Sequence, residues 1–316
     1  MEGFRMKRLI FASLVSAFLS ATSALADIPV SIINSQQHSV HAVPPSSSEM
    51  LITQLRKNFD ESKYREIRAQ VVFRSNGLPD HLVVYLLVKN YHRAELAQVG
   101  LDSEYRFTST KLGYHLQADD LAQQAGPKTS QAQCPDTSVE FIAFAPNNDD
   151  LEQQVTEQVA QAAEAANLKT VRLLKAQATR ENYLNYMSCP ALKGNFYDGD
   201  ANTSLIVTVD GTVSSDDFNT VLQGAFRHHV TNIWLACEAY NDPMLTSVQK
   251  TAQSQKYAAG INDLEVGPSD QAGACAMTAA IQGKPMTQAF QDCYAKLDVS
   301  DDHWGFGGDG SDQFGE

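Results

Sequence analysis

From residue 139 onward, short apolar runs alternate with longer stretches of helical spacing, and this alternation restricts the fold more than any other feature of the chain. The runs at 139–145, 170–174, 193–197, 232–236 and 257–261 read as strands, and 149–167, 179–187, 216–226, 269–282 and 286–297 as helices. Such alternation places the strands side by side in a mostly parallel sheet with helices on its faces. Residues 205–213 read as a hairpin turning at Asp210-Gly211, and Thr179 is positioned to cap the helix that follows it. The run Ile233-Trp234-Leu235-Ala236 ends in Cys237 and turns polar at once, as a buried strand delivering a cysteine to its carboxyl end does. Chemistry gathers at that end of open α/β sheets. Free cysteine is also among the most buried residue types, so Cys237 reads either as a nucleophile or as a small buried hydrophobe.

The first part of the chain has a different texture. Residues 27–47, with Pro44-Pro45 and three serines after them, read as a linker. Helical spacing then places Leu51, Leu55 and Phe59 on one face, and runs at 67–73 and 81–88 flank Asn76-Gly77. Residues 48–118 thus form a small α+β domain, followed by a Gln-, Ala- and Ser-rich connector at 119–136. The α/β domain spans 137–298, and the acidic, Gly-rich tail at 299–316 is expected to be disordered.

Residues 1–26 read as a secretory signal: Arg5, Lys7 and Arg8, an apolar core from Leu9 to Leu19, and Ala24-Leu25-Ala26 before Asp27. The expectation is an exported protein, periplasmic or extracellular, with no membrane insertion after signal cleavage. The chain carries −13, and removing that segment, net +2 from three basic residues against Glu2, leaves −15. This charge argues against nucleic acid as a partner, because phosphate binding needs basic patches. Five cysteines, Cys134, Cys189, Cys237, Cys275 and Cys293, leave at least one thiol unpaired within the chain.

Residues 141–293 resemble the caspase-like cysteine peptidases, the group of caspases, clostripain, gingipains and legumain. The resemblance rests on Ile233 to Glu238 as the cysteine strand, on Ala258-Ala259-Gly260-Ile261 as the strand after it, and on Gly267-Pro268-Ser269-Asp270 at the next helix start. Gly199-Asp200-Ala201-Asn202-Thr203, followed by Asp210-Gly211, resembles the Gly-His-Gly-Asn-Thr and Asp-Gly of bacterial relatives. The resemblance implies an α/β fold with a caspase-like, mostly parallel sheet flanked by helices, preceded here by the small α+β domain. It also implies that Cys237 holds the nucleophile position, that Asp200 stands where the family has its general-base histidine, and that the backbone N–H of Ala201 is an oxyanion donor. A carboxylate beside a thiol raises the thiol pKa and has no proton to give a leaving group.

Three functions follow from these readings. The first is a non-catalytic homologue with a broken Cys/His dyad that binds a peptide or protein ligand. The second is an active cysteine peptidase using Cys237 with an unusual base, and the third a redox or disulfide-linked assembly protein. No cofactor is expected. Asp198, Asp200 and Asn202 imitate the opening of an EF-hand loop, but its sixth position is Thr203 and its twelfth Val209, so no metal is expected there. The last two helices should pair about Lys284, which lies nine residues from both Cys275 and Cys293; equal distances from a turn bring residues to one height, so a Cys275–Cys293 disulfide is expected.

Overall fold

The computed structural model describes residues 28–33, 42–115, 132–222, 230–251, 256–297, 303–307 and 314–315. The N-terminal unit is a five-stranded sheet: β1 (Val30–Ile33), β2 (Tyr64–Phe73), β3 (Pro79–Val88), β4 (Ala94–Leu101) and β5 (Phe107–Leu112), side by side in chain order. β1 runs parallel to β2 and the others form an antiparallel meander. Helix α1 (Pro45–Asn58) lays Leu51, Leu55 and Phe59 on one face of the sheet, against Ile67, Leu82, Val84 and Val99. Residues 30–33, read from sequence as linker, are therefore a strand, and the Val-Ser-Ile-Ile run explains why. Residues 1–26, read from sequence as a signal, and most of the segment read as a connector lie outside the described residues.

The second unit is built on β6 (Phe141–Ala145), β7 (Thr170–Leu174), β8 (Gly194–Asp198), β12 (Thr231–Leu235), β13 (Lys256–Gly260) and β14 (Trp304–Gly307). Their order across the sheet is β14-β13-β12-β8-β6-β7, all parallel except β14. The fold is thus α/β with one mostly parallel sheet. Between β8 and β12 a small three-stranded sheet is added by β9 (Ala201–Asn202), β10 (Leu205–Thr208) and β11 (Gly211–Ser214). Alternate residues of the strands divide two cores. Trp234, Tyr197 and Phe144 face α3 (Arg180–Met187), α4 (Ser215–Thr220) and α5 (Met244–Thr251). Ile233, Leu235, Phe196 and Ala258 face α2 (Asp150–Ala165), α6 (Pro268–Ile281) and α7 (Met286–Leu297). α6 lies flush on β12: a Cβ on Gly273 would come within 2.2 Å of a Leu235 methyl.

Thr179 caps α3 by accepting from the Asn182 N–H. Cys275 and Cys293 join α6 to α7 with Cα atoms 5.8 Å apart, and Cys134 is bonded to Cys189. Within the tail, expected to be disordered, Trp304–Gly307 instead form β14. Trp304 and Phe306 pack on Phe290, and Phe314 on Phe141, so aromatic burial fixes what the Gly and Asp content alone would leave loose. No helix among the described residues is long and apolar enough to cross a membrane.

The two units pack through a shared apolar layer. Val72, Val83, Tyr85, Leu87, Ala94 and Leu96, on the sheet face away from α1, meet Leu205 and Val207 of β10. Both faces of β3 are therefore covered, and every residue from Leu82 to Leu87 is fully buried.

Candidate functional site

The parallel strands end against the N-terminal unit, and charged side chains from both units meet there. β8 ends at Asp198, with Asp200 two residues on; its parallel neighbour β12 ends at Leu235, with Cys237 two residues on; Leu235 and Asp198 are partners in the register. α2 starts just past β6, where Asp149 accepts from the N–H groups of Leu151 and Glu152, and this places Glu152 at the same edge. α6 begins with Pro268 after Gly267, whose φ of 99° suits a residue without a side chain. The Gly267 N–H donates to Asp270, 2.7 Å away, and holds that carboxylate inward.

Arg65 and His92 enter this edge from the N-terminal unit. Arg65 donates to Glu152 and to Asp200, at 2.7 Å each, and Asn147 donates to the same Asp200 oxygen at 2.8 Å. The His92 ring, fully buried, bonds Asp270 through Nε2. Its Nδ1 lies 3.7 Å from Glu152 and 3.9 Å from Asp198. Burial pushes Glu152 up to about 7, against the pull of Arg65 and His92. Burial also raises Asp198 well above the carboxylate range, and the like charges of Asp270 and Glu152 add to it. Asp200 is raised by burial, less so because Arg65 and His92 oppose it. Burial alone would raise Asp270, but the attraction and hydrogen bond of His92 bring it below its ordinary value, and Asp270 in turn holds His92 above its own.

The backbone around Cys237 is occupied in a particular way. The N–H groups of Cys237 and Ala201 both donate to one oxygen, the His92 carbonyl, at 2.9 and 3.3 Å. The His92 N–H donates to Leu264 O, and the Val266 N–H to Asn90 O. Tyr91 forms a bridge with Glu265 and Arg93 with Ala201. After a turn at Asn90, whose φ is 65°, residues 91–93 therefore lie across the carboxyl end of the sheet, held by main-chain hydrogen bonds and bridges on both sides.

Of the residues singled out from sequence, Cys237, Asp200 and Ala201 gather at this one edge, and Cys275 and Cys293 lie away from it on α6 and α7. The Asp200 side chain is taken by Arg65 and Asn147, with no hydrogen bond to the thiol. Cys237 is free of disulfides and fully buried. Its sulfur accepts from the Leu264 N–H at 3.0 Å and its S–H faces the Leu264 carbonyl at 3.7 Å. Burial pushes this thiol far above its ordinary value, with small additions from Asp263 and Asp200. Among the described residues no imidazole is hydrogen-bonded to it; His228 and His229 lie outside them. No family model and no curated protein sequence matches the chain.

Sequence reasoning passed over Arg65, His92, Glu152, Asp198 as a site residue, and Asp270 in that role. One signal pointed toward the docked unit: residues 82–88 read His-free and apolar after His81, Leu-Val-Val-Tyr-Leu-Leu-Val, without the alternation of an antiparallel sheet wetted on one face. A strand written that way needs cover on both sides, and the cover is β10.

Proposed function

We propose that the chain is an exported, caspase-like protein without peptidase activity, whose groove at the carboxyl end of the large sheet binds extended peptide, and which carries one such segment of its own in that groove. The observation that carries this reading is the His92 carbonyl accepting from both the Cys237 and Ala201 N–H groups. Two N–H groups converging on one oxygen are how a site holds a carbonyl or an oxyanion. Main-chain pairing on both sides of residues 91–93 is the way sheets recognise an extended strand. The adjacent parallel strands ending toward Asp200 and Cys237 support the caspase-like part of the reading. The two disulfides are compatible with export.

The absence of catalysis is argued from the thiol. A nucleophilic cysteine needs a lowered pKa and a partner base, whereas Cys237 is buried, raised and bonded to backbone. An exchange role for this thiol fares no better, since disulfide exchange requires access to the sulfur.

The test uses the full chain and a His92→Pro variant, which removes the His92 N–H from Leu264. A fluorescent peptide with the sequence of residues 88–95 is titrated into each, and each is treated with an acyloxymethyl ketone. The variant should bind the peptide, the wild type should not, and neither should be modified at Cys237. A folded variant that ignores the peptide overturns the groove, and rapid labelling of Cys237 overturns the non-catalytic reading.

A further inference from the structure

We infer that the chain binds one divalent transition-metal ion between its two units, held by His92 Nδ1 together with carboxylate oxygens of Glu152 and Asp198. Hydrogen-bond accounting comes first. One oxygen of Asp270 accepts from Gly267 and the other meets His92 Nε2, so in the neutral ring, the form a metal ion selects, Nε2 carries the proton and Nδ1 presents its lone pair. Nδ1 has no hydrogen-bond partner among the described residues, nor do Glu152 Oε2 and Asp198 Oδ1, all of them buried. The remaining Asp198 oxygen has only the Thr156 hydroxyl, 3.5 Å away. Three buried atoms without partners thus belong to three segments that meet at this edge, while Glu152 Oε1 is held by Arg65. Buried polar atoms are nearly always satisfied, and lone pairs facing each other in a dry site require something positive at their centre.

The geometry suits an ion. Nitrogen and oxygen ligands lie about 2.0–2.2 Å from zinc, which sets tetrahedral ligands roughly 3.4 Å apart. Nδ1 stands 3.7 Å from the Arg65-bonded Oε1 of Glu152 and 3.9 Å from Oδ1 of Asp198, so the Glu152 carboxylate must turn to bring its unpartnered Oε2 to the ion. Single donor atoms of His92, Asp198 and Asp270 all lie within 4.8 Å of one another. Asp270, bonded to the far nitrogen of the ring, acts as the outer carboxylate that orients a metal-binding imidazole. Charge points the same way. Glu152, Asp198, Asp200 and Asp270 share this dry volume with one guanidinium, Arg65, and the His92 ring, because Arg68 is matched by Glu66. An imidazole among carboxylates selects zinc, manganese or iron over the all-oxygen calcium and magnesium sites. His92 belongs to one unit and both carboxylates to the other, so the ion fastens them together. Such a site stands whether or not the groove accepts other peptides.

The test takes the full chain, stripped by unfolding in chelator, refolded, and dialysed against Zn2+. One ion per chain should be retained, and X-ray absorption at the zinc edge should show one imidazole nitrogen with oxygen ligands and no sulfur. Glu152→Gln and Asp198→Asn should each weaken zinc binding at least tenfold, with the exposed Asp60→Asn as an unchanged control. Failure to retain zinc, a sulfur-containing shell, or zinc affinity indifferent to both substitutions overturns the site. If the two variants do not fold, the wild-type absorption spectrum decides by itself.

Discussion

Arg68 fastens the two units by a polar route, and its removal has a calculable cost. The side chain is 1% exposed. Nε and Nη2 bond Glu66 at 2.8 and 3.0 Å within its own unit, while Nη1 reaches Thr208 O and Nη2 reaches Asn147 Oδ1, both at 2.9 Å, across the boundary. Arg68→Met keeps most of the aliphatic stem and deletes the guanidinium. Breaking a buried ion pair by removing one member costs about 3–5 kcal/mol. Two orphaned acceptors add about 1–3 kcal/mol each, though not additively. The expected loss is roughly 4–6 kcal/mol, a large part of an ordinary domain's stability. Arg68→Met combined with Glu66→Met should recover at least about 2 kcal/mol, because an apolar pair replaces an ion pair at little cost. Urea unfolding followed in two ways separates the units. Both tryptophans, Trp234 and Trp304, lie in the second unit, whereas far-ultraviolet circular dichroism reports both. The wild type should give coincident transitions and Arg68→Met separated ones. A loss under about 1 kcal/mol with coincident transitions would refute the coupling.

The raised Cys237 thiol predicts a pH dependence of known sign. The unfolded thiol ionises near 8.5 and the folded one does not, so stability is lost as pH rises past that value, by about 1.4 kcal/mol per unit. Cys237→Ala should abolish this slope between about pH 8.5 and 9.5, below the range where tyrosine titrates; parallel wild-type and variant curves there would contradict it. Asp200→His with Ala201→Gly should leave iodoacetamide labelling of Cys237 at neutral pH unchanged, because that position faces Arg65 and Asn147; faster labelling, located by peptide mapping, would contradict the geometry. Replacing Cys275 and Cys293 together by alanine opens a loop of sequence separation 18 and should cost about 3 kcal/mol. Thermal unfolding measures it, and a loss below about 1 kcal/mol would show that helix packing alone sets the α6–α7 pair.

Local signals in the sequence carried the second unit well. The spacing of apolar runs located β6, β7, β8, β12 and β13, Asp210-Gly211 located the β10–β11 hairpin, and Thr179 marked the start of α3. The misses share a cause. Val30–Ile33 is short and sits among turn formers, and Trp304–Gly307 sits among glycines, so each becomes a strand only because a neighbour offers an edge and an apolar surface. Met244–Thr251 has too few turns to announce itself and is fixed by Met244 and Val248 entering the core beside Trp234. The site was half legible. Cys237 and Asp200 follow from strand ends, which are local. Arg65, His92, Glu152 and Asp270 converge from four remote segments, and their spacing along the chain contains no trace of the meeting. The continuous apolar run of β3 did say that a second layer was required, without saying which.

The double-sided burial of β3 bears on how the protein is made. A ribosome releases the N-terminal strands first, and α1 can cover one side of their sheet as soon as both have emerged. Leu205 and Val207, which seal the opposite side, are synthesised much later. In the interval Val72, Val83, Tyr85, Leu87 and Leu96 face water, and they are the kind of surface that chaperones hold and that associates between nascent chains. Assembly therefore runs against the direction of synthesis: the first unit translated is the last to be finished, and its maturation waits on a hairpin from the second.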